Sequence, residues 1–162
     1  MRQFYNLTKT IKDTLEAHSQ VNAVTFGNIF DVDLNKQTIF PLSHIMVNQA
    51  TIEGQTMTIN ISVMCMDIVD ETKEDPRNQQ EPFYGTSNEQ DILNTQLAVL
   101  NYLIMKLSTG TLYTDLYQLS GTPTCLPFSE RFENLLAGWT ATFDVILPNT
   151  EIYTCWCLAK RT

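Results

Sequence analysis

Between Ser129 and Asn149 the chain alternates: Trp139, Ala141, Phe143, Val145 and Leu147 share one phase, and Thr140, Thr142 and Asp144 fill the other. A period of two with apolar residues in one phase predicts a β-strand over 137–147, with one face on a core and the other in water. A second segment repeats the pattern, with Met57, Ile59, Ile61, Val63 and Cys65 in one phase and Thr56, Thr58, Asn60 and Ser62 in the other. Glu53-Gly54 before it is a hairpin-turn pair, so this strand is expected to fold back on a strand over 42–49. At Met64 and Met66 the second phase turns apolar as well, which predicts cover on both faces at that end.

The period changes to 3.6 in two places. Phe4, Leu7, Ile11 and Leu15 form one stripe and predict a helix over 2–18. Leu93, Leu97, Leu100, Ile104 and Leu107 predict a second stripe, with Ser87 or Asn88 as cap, Glu89 and Asp91 in the first turn and Gly110 at the end. Asn22–Phe26 reads as a short strand, 27–36 as an irregular crossover, and Phe40-Pro41 as the opening of the strand at 42. Residues 112–119 read as a weak strand or turn, Pro123 and Pro127 as brackets of a loop, 128–133 as a strand and 134–136 as a turn. The residues after Pro148 read as an arm or an added edge strand. Residues 70–88, DETKEDPRNQQEPFYGTSN, are acidic, carry two prolines and have no period; they predict a long exposed loop. The sum is an α+β fold: a mixed or mostly antiparallel sheet with long hairpins and two main helices packed on one face, in a single domain over 1–162 with a C-terminal arm at 148–162.

A chain of 162 residues suffices for one independent core. Charged residues make up 17%, below the usual quarter or so, and Asn, Gln, Thr and Ser take their place. Neutral polar surface is cheaper to desolvate, which suits a protein that buries surface against neighbours. The net charge of −8 and the scattering of Lys and Arg, adjacent only at Lys160-Arg161, argue against capture of nucleic acid by its phosphates. A negative wall instead lets DNA slide past. The amphipathic N-terminus has no continuous apolar core and no apolar run reaches membrane-spanning length, so neither a secretion signal nor a membrane span is expected. Cys65, Cys125, Cys155 and Cys157 are then expected as reduced thiols of a protein made in the cytoplasm.

Candidate chemistry is sparse. Cys155-Trp156-Cys157 puts two thiols at strand spacing, but zinc needs further ligands, and Cys65, Cys125, His18 and His44 are single and scattered. His44, in mid-strand, reads as a satisfied half-buried histidine. No GxSxG elbow, phosphate loop or dinucleotide fingerprint is present. Asp31 and Asp33 have the D-x-D spacing of a cation loop without its other ligands and read as a solvated turn. No catalytic residue, metal or cofactor is expected. The exposed contact candidates are Glu53 and Gly54 in the hairpin turn, Asp70, Glu71, Glu74 and Asp75 in the acidic loop, and Phe83 and Tyr84, aromatics that are expected to pack on this domain or on a partner.

Three segments together, TKTIKDTLEAH (8–18), NIFDVDLNKQTIFPLSHI (28–45) and ERFENLLAGWTATFDVILPN (130–149), resemble neck and tail-completion proteins of tailed bacteriophages, especially those of crAss-like phages. The acidic MDIVDETKEDP (66–76) followed by NEQDILNTQLAVLNYL (88–103) fits the same pattern, whereas 150–162 with its CWC departs from it. The resemblance implies a tail terminator: a small α+β subunit assembled with copies of itself as a ring of six or twelve. Such a ring lies between portal or adaptor and tail, with DNA passing through its lumen without specific binding. It further implies a structural protein of the virion, assembled in the host cytoplasm, with no enzymatic activity. A ring of twelve such chains would carry on the order of −100. The alternative from the residues alone is a stand-alone α+β ligand-binding or hydrolytic domain with a polar pocket holding His44 or Cys125.

Overall fold

The computed structural model describes residues 2–34, 36–70, 83, 85, 87–109, 117–131 and 135–149. The elements are α1 (Arg2–Glu16), β1 (Ala23–Phe26), β2 (Leu42–Glu53), β3 (Thr56–Ile68), α2 (Glu89–Ser108), β4 (Gln118–Arg131) and β5 (Leu135–Pro148), with short 3-10 turns at Ile29–Asp31 and Gln37–Ile39 between β1 and β2. The strands form one five-stranded sheet in the order β1-β2-β3-β5-β4. β1 runs parallel to β2, and the other three pairings are antiparallel. The fold is therefore α+β with a mixed, mostly antiparallel sheet.

The alternation of β3 and β5 sets the layers. Met57, Ile59, Ile61, Val63 and Cys65 face Leu147, Val145, Phe143, Ala141 and Trp139 in register, so both apolar phases lie on one face. Leu7, Ile11 and Leu15 of α1 and Val99, Leu100, Leu103 and Leu107 of α2 close over that face in one core. Both helices thus occupy the same side of the sheet. Among the described residues, the opposite face is covered at one end only. There Leu42, Met66 and Leu136 meet Phe40, with Ile29, Val32, Leu34 and Ile39 of the β1–β2 crossover packed against them. This is the two-sided cover expected from Met64 and Met66.

Several boundaries differ from the sequence reading. α1 stops at Glu16, because the His18 N–H turns back tightly to the Leu15 carbonyl. β2 continues to Glu53 through an irregularity at Asn48, and Glu53 and Thr56 close the hairpin around Gly54, whose φ of 56° suits glycine. Pro123 and Pro127 do not bracket a loop but lie inside β4. β4 is an edge strand, where a residue without an N–H leaves no ladder bond unmade, and the register slips between Ser120 and Thr124 beside Pro123. The turn at 134–136 gives way to β5, which starts at Leu135 with Leu136 already opposite Ile68. The buried face of α2 is Ile92, Gln96, Val99, Leu100, Leu103 and Leu107, so the stripe is rotated from the expected one and Leu97 is partly exposed. Asn88 precedes α2, yet its side-chain oxygen accepts from the Asp70 N–H instead of capping the helix. Gly110, residues 112–116, most of the acidic loop and the tail from Thr150 lie outside the described residues.

Gln96 is 1% exposed at the helix–sheet interface, and among the described residues neither its amide nitrogen nor its oxygen has a hydrogen-bond partner. A buried amide without partners carries its desolvation penalty unrelieved. Gln96→Met, of similar shape and apolar, is expected to raise stability by about 1 kcal/mol, read as a higher urea midpoint.

Candidate interaction surfaces

The groups that chemistry would use are held in structural roles. His44 is buried in β2. Its Nε2 lies 3.0 Å from the Gly27 carbonyl oxygen, which can only accept, so the proton sits on Nε2 and Nδ1 accepts from the Thr25 hydroxyl at 2.7 Å. Burial pushes the imidazole below its ordinary 6.5, against the opposing pull of the Gly27 carbonyl. The folded chain therefore binds this proton less readily than the unfolded chain, so His44 contributes stability above pH 6.5 that is lost progressively as pH falls below it. The thermal midpoint is expected to drop on acidification from pH 7 towards 5. A His44→Gln variant should lose that component of the slope, as calorimetry across this range can read.

The thiols are equally quiet. Burial pushes Cys65 up to about 12, partly offset by its 3.3 Å contact with the Ser43 hydroxyl. Burial also raises Cys125, so neither is primed as a thiolate. Cys125 lines a shallow cavity of about 380 Å³ between α2 and β4, with Asn94, Leu97 and Asn101 among its walls. His44 does not line it. His18 packs its ring edge-on to Tyr102 at 5.3 Å and accepts from the Gln20 N–H. Asp31 lies in the 3-10 turn opened by Asn28, whose side chain accepts from the Phe30 N–H. Among the described residues, no group of three or more His, Cys, Asp or Glu side chains is placed to hold a metal ion. Cys155 and Cys157 lie outside those residues.

Three surfaces stand out instead. The first is the hairpin tip, where Glu53 and Gly54 are exposed beside Ile52, itself 63% exposed. Asn149 fastens the end of β5 to this tip, through its N–H to the Gln55 carbonyl at 2.7 Å and its side chain to the Gly54 carbonyl. Phe83 and Asp70 are also exposed, Phe83 at 75%, with its carbonyl accepting from Gln90 on α2. Glu71, Glu74, Asp75 and Tyr84 fall outside the described residues.

The second surface is the half of the sheet face opposite the helices that none of the described residues packs over. Here Asn48 donates to Asn60 and Ser62 at 2.8 and 2.7 Å, Asn60 donates to Asp144 at 2.6 Å, and Ser62 meets Thr142 at 3.0 Å. This network spans β2, β3 and β5 with a single carboxylate. The residue types are visible in the polar phases, but their partnership depends on a register that periodicity cannot supply.

The third surface escaped the sequence reading. α1 overhangs the free edge of β1, and between them lies a groove of about 350 Å³ lined by Tyr5, Thr8, Lys9, Lys12, Val24 and Phe26 among others. Tyr5 is 73% and Phe26 55% exposed, and Phe30 stands out on the following turn. Phe4 meets both Tyr5 and Phe26 edge-to-face at 6.1 and 6.4 Å. The one sequence signal was Tyr5 beside the apolar stripe of a helix that otherwise keeps polar residues there.

No family model matches the chain, and no curated protein matches it either. Among the described residues, no helix is long and apolar enough to cross a membrane.

Proposed function

We propose that this chain is a structural subunit that works by packing against copies of itself, as a ring at the head–tail junction of a tailed phage particle. The observation that carries the self-packing part is the exposed aromatic edge: Tyr5, Phe26 and Phe30 stand out at the free side of β1 on a chain otherwise rich in neutral polar and acidic residues. Large apolar groups gathered at one place mark surface that is meant to be covered. The phage setting rests on the resemblance of segments 8–18, 28–45 and 130–149 to tail-completion proteins. Six or twelve subunits would close the ring through one repeated head-to-tail interface, between portal or adaptor proteins and the tail. At −8 per subunit the lumen would repel DNA sufficiently to keep it from sticking.

A second reading, a small-ligand site, is favoured by the cavity at Cys125, whose Asn94 and Asn101 amides could orient a polar ligand. The two readings part on native mass spectrometry and electron microscopy of the purified full-length chain. The ring reading expects closed oligomers of a single order. A monomer at all concentrations that binds a ligand, with binding lost in a Cys125→Leu variant, would favour the second.

A further inference from the structure

The sheet has two edges, and they are treated differently. β4 is blunted by Pro123, Pro127 and a register slip. β1 is left open. The Ala23 and Gly27 N–H groups donate to the carbonyls of Pro41, just before β2, and Ile45 within it. By the alternation of a parallel ladder, the N–H and C=O groups of Val24 and Phe26 therefore point away from the sheet. Val24 and Phe26 pair with Ser43 and Ile45, which places their side chains on the helical face, under the flank of α1. The space beyond β1 thus has the form of an empty strand position: outward ladder groups along its edge, an apolar groove above it, and an aromatic lip of Tyr5 and Phe26.

The chain carries a segment suited to it. After Asn149 the sequence runs TEIYTCWCLAKRT, with Ile152, Thr154, Trp156 and Leu158 in one phase of a strand. The segment 150–162 holds Glu151, Lys160 and Arg161, a formal +1, which leaves −9 on residues 1–149. The groove wall itself carries Lys9 and Lys12, each already paired with Asp13 or Glu16 on α1, so the fit rests on apolar side chains and open backbone and not on charge.

This segment does not reach its own β1. β5 ends at Pro148 opposite Thr56, at the hairpin tip, whereas Phe26 lies level with Ile45 and Val63 near the other end of the sheet. The separation is about 24 Å along β3 and about 14 Å across three strand spacings, so about 28 Å in all. Ile152 can extend only about 14 Å from Pro148. A strand containing Ile152 to Leu158 must therefore come from another molecule.

We infer that the segment Ile152–Leu158 of one copy adds as a sixth strand to the β1 edge of the next, hydrogen-bonding to the backbone of Val24 and Phe26 and seating Ile152 and Trp156 in the groove under α1. This rests on the self-packing reading above and gives it a definite interface. Because donor segment and acceptor edge are different surfaces at different places on the subunit, the contact is head-to-tail, the kind that closes into a ring or extends as a filament.

The test uses the full-length chain. A photo-crosslinking residue at Tyr5, in an equal mixture of light and ¹⁵N-labelled copies, is expected to give light–heavy crosslinks to the 150–162 peptide. An Ile152→Asp, Trp156→Asp double variant is expected to weaken self-association about 100-fold, as loss of a central aromatic anchor does, with the thermal midpoint of the monomer unchanged. Crosslinks from Tyr5 that land elsewhere, or undiminished association of the double variant, overturn the strand addition while leaving self-packing intact. A wild-type chain that stays monomeric with no light–heavy crosslinks at high concentration overturns both.

Discussion

Gly138→Ala is expected to destabilise the fold by about 3 kcal/mol, the opposite of the small gain usually expected when a glycine inside a strand acquires a methyl. Gly138 lies in β5 opposite Met66 of β3 and Phe128 of β4. A Cβ there would overlap the Cys65 carbonyl oxygen and come within 2.9 Å of the Cys65 carbonyl carbon and the Met66 Cα. All three are backbone atoms of the central strand and cannot swing aside as the end of a side chain would. The methyl can be admitted only by parting β3 from β5 or twisting them locally, beside the cluster of Leu42, Met66 and Leu136. For a chain of this length the loss corresponds to a fall of about 6–12 °C in thermal midpoint. An unchanged or higher midpoint would show that the two backbones do not approach in this way.

The second large effect separates two isoleucines in the same sheet phase. Ile61, fully buried at the centre of β3, faces Phe143 on one side and Val47 on the other. Ile61→Ala is expected to cost about 3–4 kcal/mol, from lost burial and the cavity left between sheet and helices. Ile52 of β2 faces Met57 near the hairpin tip and is 63% exposed. Ile52→Ala is expected to change the stability of the isolated subunit by less than about 0.5 kcal/mol. Urea midpoints of the two variants make the comparison. Equal losses would mean that the helical layer extends over the tip, contrary to the exposure of Ile52.

The central strands were legible because alternation there reports a one-sided burial directly. Met57, Ile59, Ile61, Val63 and Cys65 of β3, and Ala141, Phe143, Val145 and Leu147 of β5, lie on the helical face as their phase requires, and Met64 in the other phase packs on the opposite face. The stripe Leu7, Ile11 and Leu15 was legible for the same reason at helical period. β4 was lost because proline argues against a strand unless its N side faces outward, and only the strand order shows that β4 is an edge. The face of α2 was misjudged by a small rotation. Gln96 sits inside the buried face, while Leu93, Leu97 and Ile104 widen the apolar sector on its flank, so periodicity favoured the stripe that avoids the amide.

The candidate surfaces were less legible. Tyr5 and Phe26 are remote in sequence and meet at one edge only because β1 pairs parallel to β2 beneath α1, a pairing that no local pattern announces. The hydrogen bonds from Asn48 to Asn60 and on to Asp144 likewise need the register shift beside Asn48. The exposed turn at Glu53 and Gly54 could be read beforehand, because a glycine between two alternating strands states its own geometry.

The most direct test of the proposed ring subunit is a reconstruction of intact tailed-phage particles recovered from cells that carry this sequence. The account predicts a closed ring between portal and tail whose every subunit shows the five-stranded sheet with both helices on one face. Particles that lack this chain altogether would contradict it.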